Sequence, residues 1–148
     1  MLIDGRSLIV VADAAHARFF EERRQGGHLR EQPEWLGDLV PSHKAGAQRG
    51  AIHDRMGFAL HATGGSDPRR LETEDFLRRL AQRIGQVMRA ERIDAFVLFA
   101  PPRALGLLRE HLDPQVRAKL AHDADVDRID ATPDALRDHL RQLRFPAG

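Results

Sequence analysis

The sequence predicts an α/β domain in which three strands are followed by helix, strand, helix, strand and helix, the helices packing on a mixed sheet of about five strands. Three observations carry this expectation. Apolar runs rich in Val, Ile and Phe, at Leu8–Val11 and within Ile93–Ala100, have the character of strands covered on both faces. Between and after them lie stretches whose apolar residues are spaced by threes and fours, the signature of helices with one buried face. Proline, glycine and short polar side chains mark the borders between these segments.

Taken in order, Leu8, Ile9, Val10 and Val11 form a first strand expected near the centre of the sheet. The chain then turns through Ala14 and Ala15 into a second strand, HARFFEE, in which Ala17 and Phe19 alternate with Arg18 and Phe20, and reaches a polar turn at Gln25–Gly27. His28 to Leu36 reads as a third, weaker strand, and Pro33 within it suits an edge or a bulge because proline cannot donate a ladder bond. From Gly37 to Pro68 the periodicity is lost, which predicts a long flexible loop at about 37–68. A helix follows, with Asp67 or Thr73 as candidate caps and Phe76, Leu77, Leu80, Ala81, Ile84, Val87 and Met88 as its apolar stripe.

Ile93–Ala100 is the next buried strand, ended by Pro101 and Pro102, and the second proline suits the first position of a helix carrying Leu105, Leu107, Leu108 and Leu112. Asp113 before Pro114 repeats that device for a short helix to Leu120. A polar strand is expected at Ala121–Val126, and Thr132 caps a last helix with Leu136, Leu140 and Leu143 on one face. The resulting order, β-β-β-α-β-α-β-α, is that of the ribonuclease H-like fold. A single domain spanning 1–148 is expected, since 148 residues build one hydrophobic core but not two.

Composition excludes several classes. With no cysteine there is neither a disulfide framework nor a thiolate metal site. The opening MLIDGRSLIVV reads as a first strand rather than a signal peptide or membrane span, so a cytoplasmic location without a membrane partner is expected. The formal charge of +1 gives no global field for nucleic acid. Lys44 and Lys119 are the only lysines, so arginine, whose planar fork suits phosphate, supplies nearly all of the 23 basic residues.

Two segments stand out, VADAAHARFF at 11–20 and APPRALGLLR at 100–109, each at the end of an apolar strand. In that order and in a chain of this length, the pair resembles the bacterial host attachment family, whose members are named as proteins required for attachment to host cells. The resemblance runs from about Leu8 to Leu143. It implies a fold more than a chemistry, because the family name describes a phenotype. Both segments read as mainly structural, with Phe19 and Leu107 expected against the sheet.

Catalytic chemistry finds weak footing in the residues. Asp13, Asp123, Asp125 and Asp127 are candidates for a carboxylate cluster of the two-metal type, but solvated strand and turn positions account for them better. No two of the eight histidines have the i,i+4 spacing of paired ligands on a helix, although a role for His53 and His61 in zinc binding or acid–base chemistry stays open. Ser7, Ser42 and Ser66 lack the setting of a hydrolase nucleophile. No cofactor, no resident metal and no enzymatic activity are expected.

The loop is where charge and glycine coincide. Between Pro41 and Arg70, Lys44, Arg49, Arg55, Arg69 and Arg70 face only Asp54 and Asp67, an excess of three positive charges, and glycines at 46, 50, 57, 64 and 65 allow close backbone approach. Such a segment leading into a helix can hold phosphate through amides and arginine forks, against the plainer reading of a solvated loop. The strand order, Gly64-Gly65 ahead of the main helix, and the FVLFAPP strand also look like the middle domain of archaeal and eukaryotic peptide-chain release factors. In those factors the loop carries Gly-Gly-Gln, the glutamine assisting attack of water on peptidyl-tRNA. Here the triplet is Gly64-Gly65-Ser66, so the likeness implies ribosome or structured-RNA association without hydrolysis. The expected nucleic-acid contacts are Lys44, Arg49, Arg55, Gly64, Gly65, Arg69 and Arg70. The rival readings are a protein-interaction factor affecting host attachment indirectly, and a metal-dependent hydrolase or nuclease.

Overall fold

Ser7–Ala12 form β1, buried along its whole length, as an unbroken apolar run requires. A computed structural model describes residues 5–39 and 68–146. β2, Ala17–Glu22, lies antiparallel to β1 and places Phe19 beside Val10 and Phe20 beside Ile9. β3, Leu29–Glu31, pairs antiparallel with β2. A 24-residue helix, α1 (Pro68–Glu91), leads to β4 (Ala95–Phe99), which is parallel to β1. The remainder is α2 (Pro102–His111), the short α3 (Pro114–Arg117), β5 (Leu120–Ala124) parallel to β4, and α4 (Pro133–Arg144). The sheet order is β3-β2-β1-β4-β5, a mixed five-stranded sheet with β1 at its centre.

Alternation along the strands divides the core in two. Leu8, Val10, Phe19, Phe96 and Leu98 face the stripe of α1 (Phe76, Leu77, Leu80, Ile84) and Leu105 and Leu108 of α2. Ile9, Val11, Phe20, Val97 and Phe99 face Leu136 and Leu140 of α4. The sheet is thus covered on both sides, which is why β1 and β4 carry no polar face. Each of the largest side chains buried here contributes about 1.5–3 kcal/mol.

The helix starts follow local chemistry. Pro102 and Pro114 occupy first-turn positions, the Asp113 side chain accepts from Gln115 N, and Thr132 Oγ1 accepts from Ala135 N at 3.1 Å. Thr73, by contrast, lies inside α1 and caps nothing, because the helix already begins at Pro68; the other candidate cap, Asp67, lies outside the described residues.

The third strand is shorter than the sequence suggests. It ends at Glu31, and Pro33–Leu39 wind into a 3-10 segment. Pro33 removes the ladder donor, and Trp35 N instead bonds Gln32 O at 3.1 Å. The expected loop at 37–68 is therefore corrected at its start: residues 37–39 belong to this segment. Gly37 breaks it with φ 56° and ψ −125°, under the guanidinium of Arg83, whose Nε donates to Trp35 O at 2.6 Å. An added Cβ would meet that guanidinium at 3.1 Å in a backbone conformation that only glycine adopts readily. Leu107 is half-buried rather than buried, whereas Phe19 is inaccessible.

Candidate functional site

β1, β4 and β5 run in one direction, so their carboxyl ends form a common rim. The chain leaving β4 forms α2 on one face of the sheet; the chain leaving β5 forms α4 on the other. A crevice at such a topological switch is where open α/β sheets hold ligands. The rim is built of small side chains: one residue beyond the Val11–Phe99 pair come Ala12 and Ala100, and Ala100 N donates to Ala124 O at 3.1 Å.

Three helices start at this rim. α2 and α4 follow strands that end there. α1 finishes three residues before β4 begins, so its opposite end stands at the rim as well. At roughly 1.5 Å per residue α1 is about 36 Å long, whereas β4 spans about 17 Å, so the start of α1 overshoots the sheet. Burial agrees: none of Pro68–Asp75 is buried, and Leu71 is 55% exposed. Helix starts carry partial positive charge, so the rim favours anions. The start of α2 is more open than that of α4, which Thr132 caps. The N-cap of α2 is Pro101, and among the described residues no side chain caps its first-turn amides and the exposed Arg103 beside them has no ion pair or side-chain hydrogen bond.

Asp13 and His16 close the β1–β2 turn on the same rim. Asp13 Oδ1 accepts from Ala15 N at 2.9 Å and His16 N at 2.7 Å, and lies 3.1 Å from His16 Nδ1. This is turn chemistry first: the carboxylate satisfies backbone donors that the hairpin would leave bare. Arg18, two residues on, is also structural. Its guanidinium lies 5.0 Å over the Phe20 ring, pairs with Glu31, and donates to Ile129 O at 2.9 Å and Ala131 O at 2.8 Å, tying the β5–α4 connection to β2. Arg109 of the second motif bonds Asp123 and so joins α2 to β5.

Of the expected nucleic-acid contacts, Arg69 and Arg70 lie in the first turn of α1, exposed at the rim. Arg70 Nε is 3.8 Å from Glu74, and Glu72 and Asp75 lie on the same two turns, so the two arginines are outnumbered by carboxylates and this start carries no net positive charge. Lys44, Arg49, Arg55, Gly64 and Gly65 lie outside the described residues, as do His53 and His61. Arg103 was not singled out by sequence reasoning, although a cation directly after a strand and two prolines marks a helix start. Three of the four candidate aspartates have other partners: Asp123 holds Arg109, Asp127 Oδ1 accepts from Ile129 N at 3.2 Å, and Asp13 is engaged in its turn. Among the described residues no group of three or more His, Asp or Glu side chains is placed to hold a metal ion, and no helix is long and apolar enough to cross a membrane.

The fold and rim define an α/β domain with a mixed five-stranded sheet, covered by helices on both faces and open at the carboxyl ends of its parallel strands. A family model described as "Protein required for attachment to host cells" matches residues 8–140. The chain belongs to this host attachment family. A search of curated proteins finds no match.

Proposed function

We propose that this host attachment family protein is a non-enzymatic binding domain whose carboxyl rim holds phosphate groups of a structured RNA, on the ribosome or free of it. Such a partner would place it in the cytoplasm. The observation that carries the reading is the start of α2, at the switch point of the sheet: among the described residues its amides are uncapped and Arg103 beside them is unpaired. Two further features support it. The sequence that precedes α1 is basic and glycine-rich, with Lys44, Arg49 and Arg55, and the sequence likeness to release-factor middle domains points to the same class of partner. With serine at position 66 no hydrolytic step is part of the reading.

The test is co-sedimentation with ribosomes and binding to a structured RNA at graded salt. Association that weakens steeply as salt rises is expected, because phosphate contacts release counterions. Absence of binding at low salt removes the reading.

Leu71 favours a second one. A large apolar side chain 55% exposed on the projecting turns of α1, among charges of both signs, is accessible to a protein partner. Under this reading the chain is an interaction factor that affects host attachment indirectly. Salt-insensitive capture of a partner, lost in Leu71→Ser, distinguishes it.

A further inference from the structure

The opposite end of the molecule holds a cleft of about 490 Å³ between the β2–β3 turn and the last turns of α4, within the size range of small-molecule sites. Glu22 and Arg144 form its rigid wall. Glu22 is fully buried and accepts two bonds from Arg144, at 2.8 and 2.7 Å, and one from Gly26 N at 2.9 Å, so the two charges satisfy each other. Leu140 supplies an apolar floor. Gly26, at φ +86°, has nothing within 4 Å of where a Cβ would stand, and the turn leaves the mouth open.

What remains is a set of groups with weak partners, or with none among the described residues. Among the described residues the Arg141 guanidinium has no ion pair and no side-chain hydrogen bond. Arg137 is loosely held, 3.9 Å from Asp134 and 3.3 Å from His28 Nδ1. Phe145 lies 70% exposed on the same wall. Three arginines against Glu22 and Asp138 leave the lining net positive. Guanidinium forks recognise carboxylate or phosphate, and an exposed aromatic face beside an apolar floor recognises a flat ring.

We propose that this cleft binds a small anionic molecule bearing an aromatic ring, its anion held by the forks of Arg141 and Arg137 and its ring laid on Phe145 above Leu140. The site is separate from the carboxyl rim and does not depend on RNA binding there. Aromatic carboxylates and nucleoside monophosphates share this chemistry, so both are used as probes.

The experiment titrates the full chain, labelled for amide NMR, with benzoate, AMP, adenosine and inorganic phosphate. Benzoate or AMP is expected to shift the amides of Gly26 and of residues 137–145, and to bind more tightly than adenosine, which lacks the anion, or phosphate, which lacks the ring. Arg141→Gln should weaken that ligand about tenfold, and Phe145→Ala should weaken it while leaving phosphate unchanged. Should Arg141→Gln lower the melting temperature, Arg141→Lys, which keeps the charge and loses the fork, is expected to act in the same direction. Absence of binding by both benzoate and AMP, binding indifferent to the Arg141 variants, or shifts confined to residues near Arg103 would overturn the proposal.

Discussion

Arg144, in the last turn of α4, holds Glu22 at the end of β2 through two parallel hydrogen bonds of 2.8 and 2.7 Å, a contact between residues 122 apart in the chain. Glu22 is wholly inaccessible and the Arg144 side chain is 10% exposed, so neither charge can turn to water. Removing one partner strands the other. Arg144→Ala is expected to lower stability by about 3–5 kcal/mol, whereas the double replacement Glu22→Leu with Arg144→Met should recover most of the loss. Urea denaturation of the three chains measures this; a single variant as stable as the parent would show that Glu22 finds water.

Phe19 and Leu107, the apolar markers of the two motifs, should behave differently. Phe19 is fully buried between β1 and the helices, so Phe19→Ala is expected to cost about 3–5 kcal/mol through lost burial and the cavity left behind. Leu107 is half-buried at the margin of that core, and Leu107→Ala should cost about 1 kcal/mol. Equal losses in thermal melts would mean that Leu107 has an unseen partner.

Acid should weaken the fold in two stages. His139 packs its ring 5.0 Å from Phe99 and accepts from Arg128 Nε at 3.1 Å; burial, then the charge of Arg128, lower its pKa from 6.5. The unfolded chain therefore binds that proton more tightly, so this contribution is complete above pH 6.5 and is lost as pH falls below it. Burial pushes the Glu21 carboxyl up, but bonds and charge from Arg6, with help from Gln32 and Arg23, outweigh it and hold the pKa below 4.5. Its contribution is present above pH 4.5 and lost below. Melting temperature against pH should decline in both windows, and His139→Phe should flatten the first one alone.

Binding to RNA, if it uses the rim, should respond to charge without loss of fold. Arg103→Gln alters an exposed, unpaired side chain and is expected to leave stability within about 0.5 kcal/mol. It should lower the salt slope of RNA binding by about 0.7–0.9, the value for one phosphate contact. Changing Lys44, Arg49, Arg55, Arg69 and Arg70 together to Gln should lower the slope further. A folded variant with an unchanged slope in both experiments would leave the interaction-factor reading in place.

Asp123 and Asp125 give the nuclease reading its own test. Their joint change to Asn removes the contact to Arg109, a half-exposed pair worth about 1 kcal/mol or less. A host-attachment phenotype is expected to persist in this variant. A Mg²⁺-dependent cleavage of nucleic acid that is present in the parent and absent in the variant would make the protein an enzyme.

Much of this architecture is legible in the sequence because it is written in local chemistry. The apolar runs of β1 and β4, the stripe of α1, the prolines at 102, 114 and 133 and the caps at Asp113 and Thr132 depend on residues at most four apart. Local reading falls short at β3, which ends at Glu31 ahead of Pro33, and the 3-10 segment that follows docks on Arg83. Sequence also marked Arg69 and Arg70, but not that α1 overshoots the sheet, nor that their charge is offset by Glu72, Glu74 and Asp75 on the same two turns. Arg18 and Arg103 look alike as letters. Only the sheet order, which brings Ile129 and Ala131 to Arg18 across more than a hundred residues and leaves Arg103 at a helix start with no partner among the described residues, makes one a tie and the other an available cation. Periodicity and capping act within a turn of helix, whereas the meeting of distant charges is set by which strands pair and which face each helix covers.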